Sequence, residues 1–324
     1  MNGTFFRRRL AALLLLAAAI TPAPAGVIDS ILENFHSSEF SFGRTDGYAP
    51  FPPLAWVSAQ DRGESSLTLN GQPVRFDESS VSQFLLGPLW IGKKDMILAG
   101  EYAGWQQVGF NAPVAAQRDI YTFMPVLAWL RQTGPRQQLG AFVSPEYSHG
   151  ADYAGHEFAE WSGYAGVIGV NWTSDNFAWA YGGVAAWSAD RGLLFPYLGC
   201  YWQPSPHWSV AAIAPWPSVT YAPSRDYMFQ AGMSPADATL ASAADGSLNV
   251  SYTSWNLLFS AHRRLTRNYW ISASVGWAGL GNFAVSTDGH TETDYHLQRD
   301  LVWSLQVSFR PPTKGPVGAP PTVR

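Results

Sequence analysis

The sequence predicts an all-β fold: a transmembrane, antiparallel, up-and-down β-barrel of about twelve strands, within a range of 10–14, behind a short N-terminal helix. Three observations point there. Charged residues make up only 14% of the chain, against about 25% in soluble domains, while no run beyond the N-terminus is apolar enough to span a membrane as a helix. Aromatic residues reach 15%, with 15 tryptophans. Segments of roughly ten residues alternate apolar and small or polar side chains, the period of a strand whose two faces meet different surroundings.

The elements follow in chain order. Arg7, Arg8 and Arg9 precede an apolar run from Leu10 to Ile20, and "TPAPAG" follows with Ala23 and Ala25. That pattern predicts a secretory signal peptide over 1–25, its apolar core too short for the ~20 residues of a spanning helix. Export to the outer membrane is the expected localisation. In "GVIDSILENF", Val27, Ile28, Ile31, Leu32 and Phe35 share one helical face, so 26–37 is expected to be a short amphipathic periplasmic helix at the barrel mouth. The barrel is expected over 38–309. Beyond it, 310–324, "RPPTKGPVGAPPTVR", is too rich in Pro and Gly to pack and reads as a disordered tail.

Strands are expected near 38–48, 80–91, 94–107, 119–131, 136–148, 160–173, 176–188, 192–203, 207–222, 247–262, 268–286 and 298–309. Short links ("GKKD", "QTGPRQ", "TSDN", "PSPH", "LTRN") alternate with longer ones, among them 223–246. Short turns on the periplasmic side and longer loops outside are the barrel pattern. "LTLNGQPVRF" (Leu67 to Phe76) carries an Asn-Gly hairpin signal that would raise the count to fourteen. "DYMFQAGM" offers a further hairpin arm. Residues 49–80 otherwise receive no role.

In "RDLVWSLQVSF", Leu301, Trp303, Leu305, Val307 and Phe309 oppose Val302, Ser304, Gln306 and Ser308. "YWISASVGW" sets Tyr269, Ile271, Ala273, Val275 and Trp277 against Trp270, Ser272, Ser274 and Gly276. In "GYAGVIGVNWT" the apolar set is Tyr164, Ile168, Val170 and Trp172. Indole rings near segment ends suit a lipid–water boundary, and Trp172, Trp202, Trp208, Trp270 and Trp303 are the expected interface aromatics. Lumen-facing candidates are Glu101, Glu146, Tyr197, Tyr201, Ser272 and Ser274.

Chemistry is sparse. The lone Cys200 has no disulfide partner, and alternation with Leu198 and Trp202 turns its thiol toward lipid. His207 and Ser209 have the two-residue spacing of a base and nucleophile on one strand, but no third residue orients the imidazole. His149, Asp152, His156, Glu157 and Glu160 gather near one outside loop, where hydrated surface is the commoner explanation. Hence no catalytic residue, cofactor or metal is expected, and no enzyme. With the three leader arginines removed, 17 basic residues face 24 acidic ones, a balance that excludes nucleic acid as a partner.

The final strand, ending in the aromatic Phe309, resembles the assembly signal of Gram-negative outer-membrane proteins, though 15 residues follow it here. That resemblance implies the outer-membrane assembly machinery as a partner, beside the membrane lipid itself. "PYLGCYWQPSPHWSVAAIAPWPSVTYAPS" is similar to a pattern recurring in a domain-of-unknown-function family of Gram-negative outer-membrane β-barrels, matched at Pro196, Leu198, Gly199, Pro204, Ser205, Trp208, Pro215, Val219 and Tyr221. The family implies a fold and a location, and no reaction. The leading functional expectation is a passive, porin-like channel or small-solute transporter. The alternatives are a structural or surface-interaction barrel with an occluded lumen and, third, a lipid hydrolase acting through Ser209 and His207. Oligomeric state is not fixed by the sequence.

Overall fold

The computed structural model describes residues 38, 40, 47–69, 72–110, 117–152, 157–187, 192–242, 248–278, 282–287, 291–296 and 300–311. The expected signal peptide, the 26–37 helix and all but the start of the tail lie outside these residues. Of the strand expected at 38–48, Ser38, Phe40, Gly47 and Tyr48 are described, and none of them is in a strand.

The strands are β1 (Ala55–Leu69), β2 (Gln72–Ile91), β3 (Asp95–Phe110), β4 (Gln117–Gly134), β5 (Gln137–Asp152), β6 (Glu157–Ser174), β7 (Phe177–Trp187) and β8 (Gly192–Ser205). They continue as β9 (Trp208–Ala214), β10 (Ser218–Ser224), β11 (Tyr227–Ser242), β12 (Leu248–Thr266), β13 (Tyr269–Ala278), β14 (Asn282–Thr287), β15 (Thr291–His296) and β16 (Asp300–Phe309). Consecutive strands pair antiparallel from β1 to β13, and β16 closes the ring against both β13 and β1. β12 pairs with β13 along its lower half and with β14 along its upper half, while β14 pairs with β15. So β13–β14 and β15–β16 are two long strands, each interrupted once, and the wall has fourteen strands rather than twelve.

Two misread segments account for the difference. The Asn-Gly signal does mark a turn, between β1 and β2. The stretch read as one strand, 207–222, folds back at Pro215-Trp216-Pro217 into β9 and β10, and the expected outside loop at 223–246 contains β11. Two prolines spaced by one residue remove two ladder donors from a strand, which is why a turn forms there. Most of the segment expected as a strand at 38–48 lies outside the described residues, and it is not counted in the fourteen.

The outer face is apolar. Trp161, Val167, Trp179, Tyr181, Leu198, Trp202, Phe229, Phe259, Val275, Trp277 and Leu301 are all exposed, as a lipid-facing band requires. Cys200 lies opposite the exposed Trp179, so its thiol shares that face. In β6 the face is reversed from expectation. Trp161 and Val167 point out, and Tyr164, Ile168, Val170 and Trp172 point in, because Trp172 pairs with the fully buried Ala178. The outward glycines are covered by rings from β7: a Cβ on Gly163 would meet Trp187 at 2.4 Å, and one on Gly169 would meet Tyr181 at 2.4 Å. Aromatic rings laid across glycines supply apolar outer surface that the glycines lack.

Charges collect at the short-turn end. Asp95 receives Trp129 Nε1 at 3.1 Å and Arg131 at 3.3 Å. Arg136 pairs with Asp175 at 2.8 Å, and Arg264 Nε donates to Asp226 at 2.7 Å. These cross-strand pairs are partly exposed and worth little in stability. They mark where the wall leaves the apolar band.

Candidate functional site: the lumen and a strap across its mouth

Alternation sends every second side chain of β1 to β4 inward. Ser58, Gln60 and Arg62 from β1, Glu78 and Ser82 from β2, and Tyr102 from β3 line a cavity of about 350 Å³. The lining is mainly hydroxyl, amide and charge, groups that favour contact with water over an apolar filling. The Arg62 guanidinium lies 3.8 Å from Glu78 and 3.9 Å from Asp300, so one cation serves two carboxylates on β2 and β16, the strands that flank β1. Trp56 forms an aromatic shelf beside it, its ring 6.0 Å from both Phe84 and Tyr102. Thr122 and Ser148 hydroxyls meet at 3.1 Å, and Ser148 donates to Glu146 at 3.3 Å.

The lumen-facing candidates divide. Glu146 is on the inner wall with Ser148, and Tyr197 and Tyr201 stand inward opposite Gly182 and Ala178. Ser272 and Ser274 are inward, with Ser274 hydrogen-bonded to Ser260 at 2.8 Å. Glu101 faces the other way. It lies opposite the exposed Leu85 and accepts a hydrogen bond from the Gln83 amide at 3.3 Å. A neighbouring amide gives that carboxylate a partner outside the lumen, which the sequence reading had not considered.

The interface aromatics divide too. Trp202 and Trp208 are exposed on the outer face beside the β8–β9 turn, and Trp303 points outward opposite Val275. Trp172 is inside, its ring 5.7 Å from Tyr201. Trp270 is also inside and only 2% exposed. Phe309, the terminal strand aromatic, faces out with its ring 5.6 Å from Tyr269.

Trp270 is buried because a strap covers it. From the foot of β1 the chain runs back through Leu54, whose N–H donates to Phe309 O at 3.0 Å, and Phe51, whose N–H donates to Pro311 O at 3.2 Å. It then reaches Tyr48, whose N–H donates to Pro206 O in the β8–β9 turn at 2.9 Å. The strap therefore crosses the short-turn mouth from the β1–β16 seam to the β8–β11 side. Tyr48 and Ala49 pack on Ala222, Met228 and Trp270. The Tyr48 ring meets the His207 ring edge-on at 4.6 Å, and the Arg225 guanidinium sits 5.8 Å over it.

His207 is thus a docking residue for the strap. Its Nδ1–H donates to Ala222 O at 3.0 Å. Ser209 is buried on the inner wall. Among the described residues no group of three or more His, Cys, Asp or Glu is placed to hold a metal ion. The loop group at 149–160, read from the sequence as hydrated surface, lies largely outside the described side chains. Sequence reading missed Tyr48, Trp56, Arg62, Glu78 and Asp300. The "QDRGE" run, charges inside an otherwise neutral strand, is the signal that could have pointed to Arg62.

An antiparallel wall that closes into a ring at its short-turn end, apolar outside and lined by polar side chains within, defines a membrane-spanning β-barrel. No protein-family model matches the chain, and no curated protein matches it. Among solved structures it is similar to a FadL homologue from Pseudomonas aeruginosa, at 10% identity and a TM-score of 0.46 over 84% of this chain and 98% of that one. It is also similar to an outer membrane channel from Pseudomonas putida F1, at 12% identity and a TM-score of 0.44 over 83% and 99%. A third likeness is to the P. putida toluene transporter TodX, at 10% identity and a TM-score of 0.36 over 81% and 91%.

Proposed function

We propose that the protein is a passive channel for small solutes in the Gram-negative outer membrane, closed at rest by the strap across its periplasmic mouth. The polar inner wall carries this reading. A barrel serving only as a scaffold has no need of serines, glutamines and a three-charge cluster on its inward face, each of which must be hydrated or paired. The short-turn end is then periplasmic, as in barrels of this kind. The strap favours one other reading, a barrel closed permanently.

Planar-bilayer conductance of the refolded chain separates the two. The channel reading expects small, infrequent conductance steps from the intact chain and larger, sustained ones once residues 26–48 are removed. It also expects Arg62→Gln to raise cation preference, read as a shifted reversal potential in a salt gradient, because Glu78 and Asp300 then lose their cation. Absence of conductance from both chains overturns the channel and leaves the closed barrel.

A further inference from the structure

Among the described residues the wall is incomplete on one side. β9 and β10 have 7 residues each, between β8 with 14 and β11 with 16. Pairing of β8 with β9 stops at Leu198↔Ala214, and pairing of β10 with β11 stops at Ser218↔Gly232. One further bond, Met233 N–H to Pro217 O at 2.9 Å, ends the contact. Above it, 192–197 of β8 pairs only with β7, and 234–242 of β11 only with β12. No ladder joins β8 to β11 among the described residues.

The missing section is two strands wide. At the rim of the hairpin β8 and β11 are three inter-strand spacings apart, about 14 Å. A seven-residue strand with a barrel's tilt rises about 18 Å, short of the ~25 Å apolar band. The slot therefore opens within the membrane, toward the outer leaflet. Open strand edges are not tolerated in hydrocarbon unless they line a cavity. Both edges and the rim carry proline, which lacks the N–H that would need a partner: Pro196 in β8, Pro235 in β11, Pro215 and Pro217 at the hairpin tip.

The β8 edge and the hairpin tip are uncharged and apolar. Leu193, Leu194, Phe195 and Trp216 are exposed, Leu194 by 77%. Tyr197, on the inner wall, brings its ring within 6.2 Å of Trp216 at the hairpin tip. The two form an aromatic lip joining the lumen side to the lipid side. Directly across the barrel, seven strands round a ring of fourteen, stand the polar side chains of β2 and β3.

We propose that this slot is a lateral port, through which an uncharged aromatic or aliphatic small molecule passes between the lumen and the outer leaflet. The port gives the channel reading a substrate class and rests on it for the lumen's role, but its geometry is tested separately.

Single cysteines placed in a Cys200→Ser background, in lipid vesicles, report the opening. A maleimide dissolved in the bilayer is expected to label Leu194→Cys, which faces lipid, and Tyr197→Cys, which only a slot makes reachable from lipid. It is expected to leave Ser82→Cys, on the intact opposite wall, unlabelled. Naphthalene in the bilayer is expected to slow labelling of Tyr197→Cys and not of Leu194→Cys. Heat-modifiable gel migration shows that each variant is folded. Protection of Tyr197→Cys to the level of Ser82→Cys overturns the port. Labelling that naphthalene leaves unchanged overturns the substrate class. Conductance recorded on the same preparations tests the channel independently: lipid-side labelling without conductance sinks the channel and keeps the port.

Discussion

Tyr48→Ala removes the ring that anchors the strap and leaves its backbone bond to Pro206 in place. Two contacts disappear. The edge-on pair with His207 at 4.6 Å is of the kind worth about 0.5–1.5 kcal/mol. The Arg225 guanidinium at 5.8 Å adds about 0.5–1 kcal/mol at an accessible site. Together they total about 1–2.5 kcal/mol, which shifts the closed-to-open equilibrium by roughly 5- to 70-fold. Burial against Met228 and Trp270 is lost in addition, so the lower bound is conservative. Open probability in planar bilayers is the assay. Tyr48→Phe keeps the ring and is expected to behave as the parent chain. His207→Ala is expected to raise open probability less than Tyr48→Ala, and the double variant to fall short of the sum, since both remove one shared contact. An open probability unchanged in Tyr48→Ala refutes the strap as a closure.

Two further outcomes concern the wall. Gly182 has φ +153°, and a Cβ there would lie 2.1 Å from Val167 O, so Gly182→Ala is expected to cost about 1–3 kcal/mol and lower the urea midpoint in vesicles; an unchanged midpoint contradicts that backbone. Val275→Arg puts a cation on the lipid face and is expected to cost about 2–4 kcal/mol near the midplane, whereas Ser274→Ala, on the inner face, loses one hydroxyl contact worth about 1 kcal/mol. The same unfolding measurement checks the pair, and equal costs contradict the assigned faces.

Much of this wall is legible in the sequence wherever the two faces differ in kind. β13 and β16 set branched and aromatic side chains against serine, glycine and glutamine, so both period and facing are readable. β6 is not readable in the same way. Its outward positions include Gly163 and Gly169, whose apolar cover comes from Trp187 and Tyr181 on the next strand. A single strand's pattern cannot carry that information. Trp172 and Trp270 fail for a related reason. An indole near a strand end reads as an interface anchor, but these two pack inside against Tyr201 and the strap, partners far away in sequence. Glu101 has its outward place because Gln83, 18 residues earlier, meets it across the ladder. The hairpin at Pro215 and Pro217 is a matter of degree: prolines near a strand end suit a bulge as well as a turn. Only the antiparallel pairing of β9 with β10 decides between them.

The strap is tied to the last strand of the barrel as well as to the first. Leu54 and Phe51 bond to Phe309 and Pro311, and Ser58 donates to Leu305 O across 247 residues of chain. Most other ladders join neighbours in sequence and form at small entropic cost, whereas the β1–β16 seam must wait for the whole chain. Seating of the strap is coupled to that seam. Under the proposed closure, the mouth stands open during assembly until the ring closes, and the event that completes the cylinder also shuts it.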